Sequence, residues 1–125
     1  MQTNPHQLRA AHALKVADDV RKRDNEGDAV SGFPALILRC GLLASLAFAL
    51  EKKKDGTPKR DAHKRIADAI ADYLTKISTG EYLVSSQTNT GEDLLKKLSE
   101  SDSALLRRCT TEALEFLTYL KRFAR

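Results

Sequence analysis

The chain has 125 residues, 42% of them hydrophobic and 30% charged, and its formal net charge is +4. These proportions exclude a disordered chain and a disulfide-stapled mini-protein, and they predict a single helical domain spanning residues 1–125. Leucine and alanine dominate the apolar residues and tryptophan is absent, so the fold class that we predict is all-α.

A first helix is predicted near residues 5–23. Pro5 suits a first helical turn, with Asn4 before it as the N-cap. Residues 24–32, DNEGDAVSG, are predicted to end this helix and to form an exposed acidic loop. Apolar side chains recur within the helix at helical spacing, and they predict a buried stripe of Ala10, Ala13, Leu14, Ala17 and Val20.

Residues 33–50 form an apolar run that contains one charged residue, Arg39. A membrane span is the alternative, but the run is at the short limit and an arginine at its middle would cost about 2.5–3.5 kcal/mol to insert. We therefore predict a helix from Phe33 to about Lys53 that forms the centre of a soluble bundle. Gly41 costs about 1 kcal/mol relative to alanine inside a helix, so we expect it to permit a close helix crossing.

Three more helices complete the prediction. Gly56 can take a left-handed cap and Pro58 can open a helix over residues 58–78. A long loop follows, then a short helix over 92–98 and a last helix capped within residues 99–103. The inner stripe of the last helix is predicted to be Leu106, Cys109, Ala113, Leu117 and Leu120. The predicted architecture is a compact bundle of four main helices plus one short helix.

We find no residue pattern that indicates catalysis. His6 and His12 have no second metal ligand at helical spacing, and His63, within the basic segment, is expected to add to a polar surface and not to bind metal. The six glycines form no phosphate-binding loop. Cys40 and Cys109 form no CxxC motif and are predicted to be buried, reduced thiols in a cytoplasmic protein. We therefore expect no enzyme, no catalytic residue, no metal and no cofactor.

The excess positive charge is concentrated in residues 51–65, which carry seven basic and three acidic side chains. This segment is either a solvated corner of the bundle or a surface that attracts phosphate backbones. Because almost no aromatic residues interleave with it, backbone contact is favoured over base stacking. The candidate residues are Lys52, Lys53, Lys54, Lys59, Arg60, Lys64 and Arg65, with a second cluster at Lys121, Arg122 and Arg125.

A helix-turn-helix DNA-binding regulator is an alternative function. The apolar helix, the turn at residues 55–58 and the basic start of the next helix are in the order that such a motif requires. A helical bundle that binds only other proteins is a third possibility.

Two segments are informative together, FPALILRCGLLASLAFALEKK at residues 33–53 and TTEALEFLTYLKRFA at residues 110–124. They resemble the Cmr small-subunit family of type III-B CRISPR RNA-guided effector complexes. The resemblance implies an all-α, non-catalytic subunit in antiviral defence, of which several copies stack head to tail. Its implied partners are the other Cmr effector subunits and the backbones of the guide RNA and the target RNA, without a membrane.

Arg39 lies inside the first of these segments, and its role is left open. Its stem could be buried with the charged head at the surface, or it could pair with a carboxylate. It could also reach a partner subunit or RNA, and for this reason it joins the candidate contact residues.

Overall fold

The computed structural model describes residues 5–24, 27–76 and 88–124, and these residues form six α-helices. The predicted all-α fold class is confirmed. The predicted count of four main helices and one short helix is wrong, because the apolar run forms two helices. In chain order the helices are α1 (Pro5–Arg23), α2 (Asp28–Cys40), α3 (Leu42–Ala49), α4 (Asp61–Lys76), α5 (Gly91–Ser99) and α6 (Ser103–Phe123).

Helix α4 is the central helix of the bundle and contacts each of the other five. Nine of its 16 residues are buried, among them Ala67, Ala69 and Ala71. Small side chains on several faces allow neighbouring helices to approach from several sides. The prediction that the apolar run is the central helix is therefore wrong. Leu38 in that run is 76% exposed.

Gly41 divides the apolar run. Its backbone has φ 89° and ψ 163°, a conformation that favours glycine. Its N–H donates to the carbonyl of Ile37 at 2.8 Å, which ends α2, and its own carbonyl accepts from Ser45 N–H at 3.1 Å in α3. A Cβ atom built on Gly41 would have no heavy atom within 4 Å, apart from those of Gly41 itself and its two chain neighbours. Gly41 thus serves a chain reversal, and the prediction of a close helix crossing is wrong.

Helix α2 begins earlier than the sequence predicts. The Asp24 carboxylate accepts hydrogen bonds from the N–H groups of Ala29 at 2.8 Å and Val30 at 2.9 Å. These bonds satisfy donors that the first turn of a helix otherwise leaves free. Ala29 and Val30 are buried, so the prediction of an exposed loop over residues 24–32 is wrong from Asp28 onward.

Helix α1 packs against α4 and α6 through a narrow stripe of small side chains. Its bounds match the prediction, and Ala13, Ala17 and Val20 are buried as expected. Leu14 is 60% exposed, so its predicted burial is wrong. The predicted cap at Asn4 lies outside the described residues.

The later helices are close to their predicted positions. Helix α4 starts three residues after Pro58, α5 has Thr90 as its N-cap and α6 has Asp102. Cys109 is buried, as predicted. Cys40 is exposed, because it lies at the chain reversal, so its predicted burial is wrong. Residues 77–87, which include the end of the predicted helix and most of the predicted long loop, lie outside the described part of the chain.

Candidate nucleic-acid interface

Residues 51–59, which we name the lysine loop, lie between α3 and α4. Lys52, Lys53 and Lys54 follow one another here, and all three are exposed. None of the three forms an ion pair with a described residue, so their charges are available to an external anion. The sequence predicted a helix that runs to about Lys53, but α3 ends at Ala49. The three lysines are therefore not in the last turn of a helix.

The backbone of the lysine loop forms a short antiparallel hairpin. Lys59 N–H donates to the Glu51 carbonyl, and Lys53 N–H donates to the Thr57 carbonyl, each at 2.9 Å. An antiparallel bridge joins Lys52 to Pro58 between these two bonds. The three lysines are therefore on a chain segment whose backbone has internal hydrogen bonds.

The tip of the hairpin is closed by Asp55 and Gly56. Gly56 has φ 88°, as the sequence predicts for a left-handed residue, and its N–H donates to the Lys53 carbonyl at 3.0 Å. The N–H of Thr57 donates to Asp55 Oδ1 at 3.0 Å and the Thr57 hydroxyl donates to it at 2.6 Å. These bonds lower the pKa of Asp55. Thr57 thus closes the loop and does not cap α4.

Arg60 follows the loop, and its guanidinium is in contact with three groups of the protein. Nη1 donates to the Phe48 carbonyl at 3.1 Å and to Glu51 Oε1 at 3.2 Å. The guanidinium carbon lies 3.6 Å from the centroid of the Phe48 ring. Nη1 therefore donates inside the protein, and the guanidinium face is covered by the Phe48 ring.

Three further basic candidates are in ion pairs at the start of α4. Lys59 lies 3.8 Å from Glu51, and Lys64 donates to Asp68 at 2.9 Å. The hydrogen bond that Lys64 donates to Asp68 raises the pKa of Lys64. Arg65 pairs with Asp19 of α1. The cluster of seven thus separates into three lysines without a carboxylate partner and four cations that each pair with a carboxylate.

Lys121 and Arg122 lie at the opposite end of the bundle. The first turn of α1 lies beside the C-terminal part of α6, because His6 is 3.0 Å from the Tyr119 hydroxyl. The last turn of α1 lies beside the start of α4, because Arg23 pairs with Asp61 at 2.9 Å. Helical rise between His6 and Arg23 gives a separation of roughly 25 Å. The structure therefore does not bring Lys121 and Arg122 together with the lysine loop. Arg125 lies outside the described residues.

Arg39 lies in the last turn of α2, at the exposed reversal between α2 and α3. It is exposed and forms no ion pair with any described residue. Of the three roles that the sequence left open, pairing with a carboxylate is not observed among the described residues. Arg39 presents its charge to solvent beside Leu38.

Lys22 is a basic residue that the sequence reasoning missed. It is exposed in the last turn of α1. Its neighbour Arg23 pairs with Asp61 at the start of α4, so Lys22 lies at the end of the bundle that carries the lysine loop. Arg21, Lys22 and Arg23 form a short basic run in the sequence, but only helix packing shows that this run lies at the same end as the lysine loop.

His63 is half-buried, although the sequence predicted it on a polar surface. Its ring lies 5.9 Å from that of Phe33 in α2 and 5.5 Å from that of Phe48 in α3. Burial, together with the positive charge of Arg60, lowers the pKa of His63. His63 thus belongs to the packing beneath the lysine loop. Among the described residues, no three His, Cys, Asp or Glu side chains are grouped to hold a metal ion.

The connection between α3 and α4 does not match the helix-turn-helix alternative. Residues 50–60 separate the two helices and include the hairpin, whereas that motif has a turn of about 3–4 residues. The membrane alternative is also unsupported, because no described helix has both the length and the apolar character needed to cross a bilayer.

Of two comparisons with known proteins, one gives the family and the other a similar fold. The model of a family described as "CRISPR-associated protein (Cas_Cmr5)" matches residues 5–125. The fold is similar to that in the crystal structure of a CRISPR-associated Cmr5 family protein from Thermus thermophilus, with a TM-score of 0.71 and 22% identity. That match covers 98% of this chain and 96% of the other. The chain, with its all-helical bundle and its basic hairpin, therefore belongs to the Cmr5 family of CRISPR-associated proteins.

Proposed function

We propose that this chain is a non-catalytic small subunit of a type III-B CRISPR ribonucleoprotein effector complex. In this role several copies stack head to tail in the cytoplasm beside the other Cmr effector subunits. Each copy contacts the backbone of the guide RNA or the target RNA as part of antiviral defence.

The observation that carries the RNA contact is the lysine loop. Three adjacent exposed lysines without carboxylate partners are held on a hydrogen-bonded hairpin. Such a surface attracts phosphates without reading bases, which suits a subunit that must accept any guide sequence. Arg39, Lys121 and Arg122 are also exposed or partly exposed, and they are available to RNA or to neighbouring subunits at other places on the bundle.

The test compares two variants of the full chain with equal loss of charge. One is Lys52→Gln, Lys53→Gln, Lys54→Gln, and the other is Lys15→Gln, Lys96→Gln, Lys97→Gln, which removes three exposed lysines from α1 and α5. Binding of a fluorescently labelled single-stranded RNA of mixed sequence is measured across a salt series. We expect the loop variant to lose affinity and to reduce the slope of log K against log salt by up to about 2, at about 0.7 per phosphate contact.

The control variant should retain most of the salt dependence. Equal losses in both variants would show that only net charge matters, and they would contradict the proposed contact. No loss in either variant would favour a bundle that binds only proteins.

Membership of the complex is tested separately. The chain is mixed with the other effector subunits and guide RNA and passed over a sizing column. We expect it to elute with the complex in more than one copy. Elution as a free subunit would contradict the proposed role, whatever the outcome of the RNA measurement.

A further inference from the structure

We propose that Arg60 is a positioning residue, which holds the lysine loop in its hairpin conformation and acts on RNA only through that loop. This inference rests on the proposed function of the loop. It assigns to Arg60 a role different from that of the three lysines, although all four are basic and close in sequence.

The contacts of Arg60 link the two ends of the loop. Arg60 directly follows Lys59, whose N–H closes the hairpin on the Glu51 carbonyl. Its side chain donates to the carboxylate of that same Glu51 and to the carbonyl of Phe48, in the last turn of α3. The exit of the loop is thereby fixed to its entry and to the end of α3.

Phe48 gives this contact its geometry. The guanidinium lies over the face of the Phe48 ring, and the edge-to-face contact with His63 holds that ring from another side. A planar guanidinium can stack flat on a ring while it donates in its own plane to two oxygens, whereas a lysine ammonium is a strongly hydrated point charge without a flat face. The arrangement therefore requires arginine and not merely a positive charge.

The same contacts make Arg60 a poor phosphate ligand. Its side chain is 27% exposed, the Glu51 carboxylate lies 3.2 Å from Nη1 and would repel a phosphate, and the Phe48 ring covers one face of the guanidinium. Lys52, Lys53 and Lys54 have no such competitor among the described residues. If the loop is fixed before RNA binds, less conformational entropy is lost when the lysines contact phosphates. The contacts of Arg60 should therefore raise the affinity of the loop for RNA.

The experiment uses Arg60→Gln and Arg60→Lys in the native chain, and Arg60→Gln in the chain that already carries Lys52→Gln, Lys53→Gln, Lys54→Gln. Amide hydrogen exchange is measured at Lys53, Gly56 and Lys59, whose N–H groups close the hairpin. Binding of single-stranded RNA is measured in parallel. Arg65→Gln is the control, because it removes the same charge from α4 but contacts Asp19 and not the loop.

We expect both Arg60 variants to speed exchange at the three amides several-fold, and Arg65→Gln to leave them unchanged. RNA affinity should fall by up to about tenfold in Arg60→Gln, and Arg60→Lys should not restore it. In the background without the loop lysines, Arg60→Gln should have no further effect, because a positioning residue has nothing left to position.

Three results would overturn the proposal. They are unchanged exchange in Arg60→Gln, full recovery of RNA affinity in Arg60→Lys, and an equal loss of affinity in both backgrounds, which is the behaviour of a direct phosphate ligand. If the triple lysine variant itself binds RNA as the native chain does, the proposed function of the loop fails. The exchange rates then still decide whether Arg60 holds the hairpin.

Discussion

Arg9 of α1 donates a hydrogen bond of 2.8 Å to Glu112 of α6, and this pair links the first and last helices of the bundle. The Tyr73 hydroxyl of α4 donates to the same carboxylate at 2.9 Å. Burial alone would raise the pKa of Glu112, but hydrogen bonds from Arg9 and Tyr73 bring it below its usual value. The pKa of Tyr73 is raised, first by burial and then by Glu112.

Replacing Glu112 should destabilise the fold. Glu112→Ala leaves the Arg9 guanidinium, which is 11% exposed, and the Tyr73 hydroxyl without their acceptor. We expect a loss of about 2–4 kcal/mol in the free energy of unfolding, measured by urea titration. Glu115→Ala is the matched control, since Glu115 lies 3.8 Å from Arg9 and is half exposed, and it should cost below about 0.5 kcal/mol. Equal costs for the two variants would contradict a special role for Glu112.

Gly41 and Gly32 should respond in opposite directions to alanine. Gly41 has φ 89° and ψ 163°, a region that only glycine occupies readily, so Gly41→Ala should cost about 1–3 kcal/mol. Gly32 is exposed within α2 and has open space around it, so Gly32→Ala should stabilise the chain by up to about 1 kcal/mol. Thermal and urea unfolding measure both, and a neutral Gly41→Ala would argue against the chain reversal at this residue.

Stability should fall as the pH drops below about 6.5. His63 and His12 have lowered pKa values in the folded chain, chiefly because burial disfavours their charged forms. The unfolded chain therefore binds more protons than the folded chain, and the loss begins at the ordinary histidine value of 6.5. The carboxylates that ion pairs stabilise, such as Asp19, titrate at lower pH.

The measurement is the free energy of unfolding at several pH values between about 7 and 5. In His63→Gln the slope in this range should be smaller than in the native chain, with the remainder due to His12. An unchanged slope in His63→Gln would show that the aromatic contacts of His63 do not depend on its neutral form.

The two cysteines should differ in reactivity. Cys40 is exposed at the end of α2, whereas Cys109 is fully buried in α6 and burial raises the pKa of its thiol to about 11. A disulfide reagent such as dithionitrobenzoate should therefore modify one thiol in the native chain and the second only after unfolding. Cys40→Ser should abolish the native reaction. Rapid modification of both thiols would contradict the burial of Cys109.

The sequence by itself determined the helical class, the bounds of α1 and α5 to within a residue, and the start of α6, because helical spacing and capping residues are local signals. It also located the basic segment, since charge density is read directly from the residues. It did not determine the break at Gly41. A glycine in an apolar run fits both a close crossing and a chain reversal, and only the packing of Phe33 and Phe48 on His63 decides between them.

The tertiary structure alone decided which basic residues remain available. Lys52, Lys53 and Lys54 are equivalent to Arg60 and Arg65 as charges in a sequence. Packing brings Asp19 of α1 to Arg65 and Phe48 of α3 to Arg60, and it leaves the three lysines in solvent. The physical reason is that an ion pair or a cation–ring contact depends on distances between helices, which one-dimensional spacing does not contain.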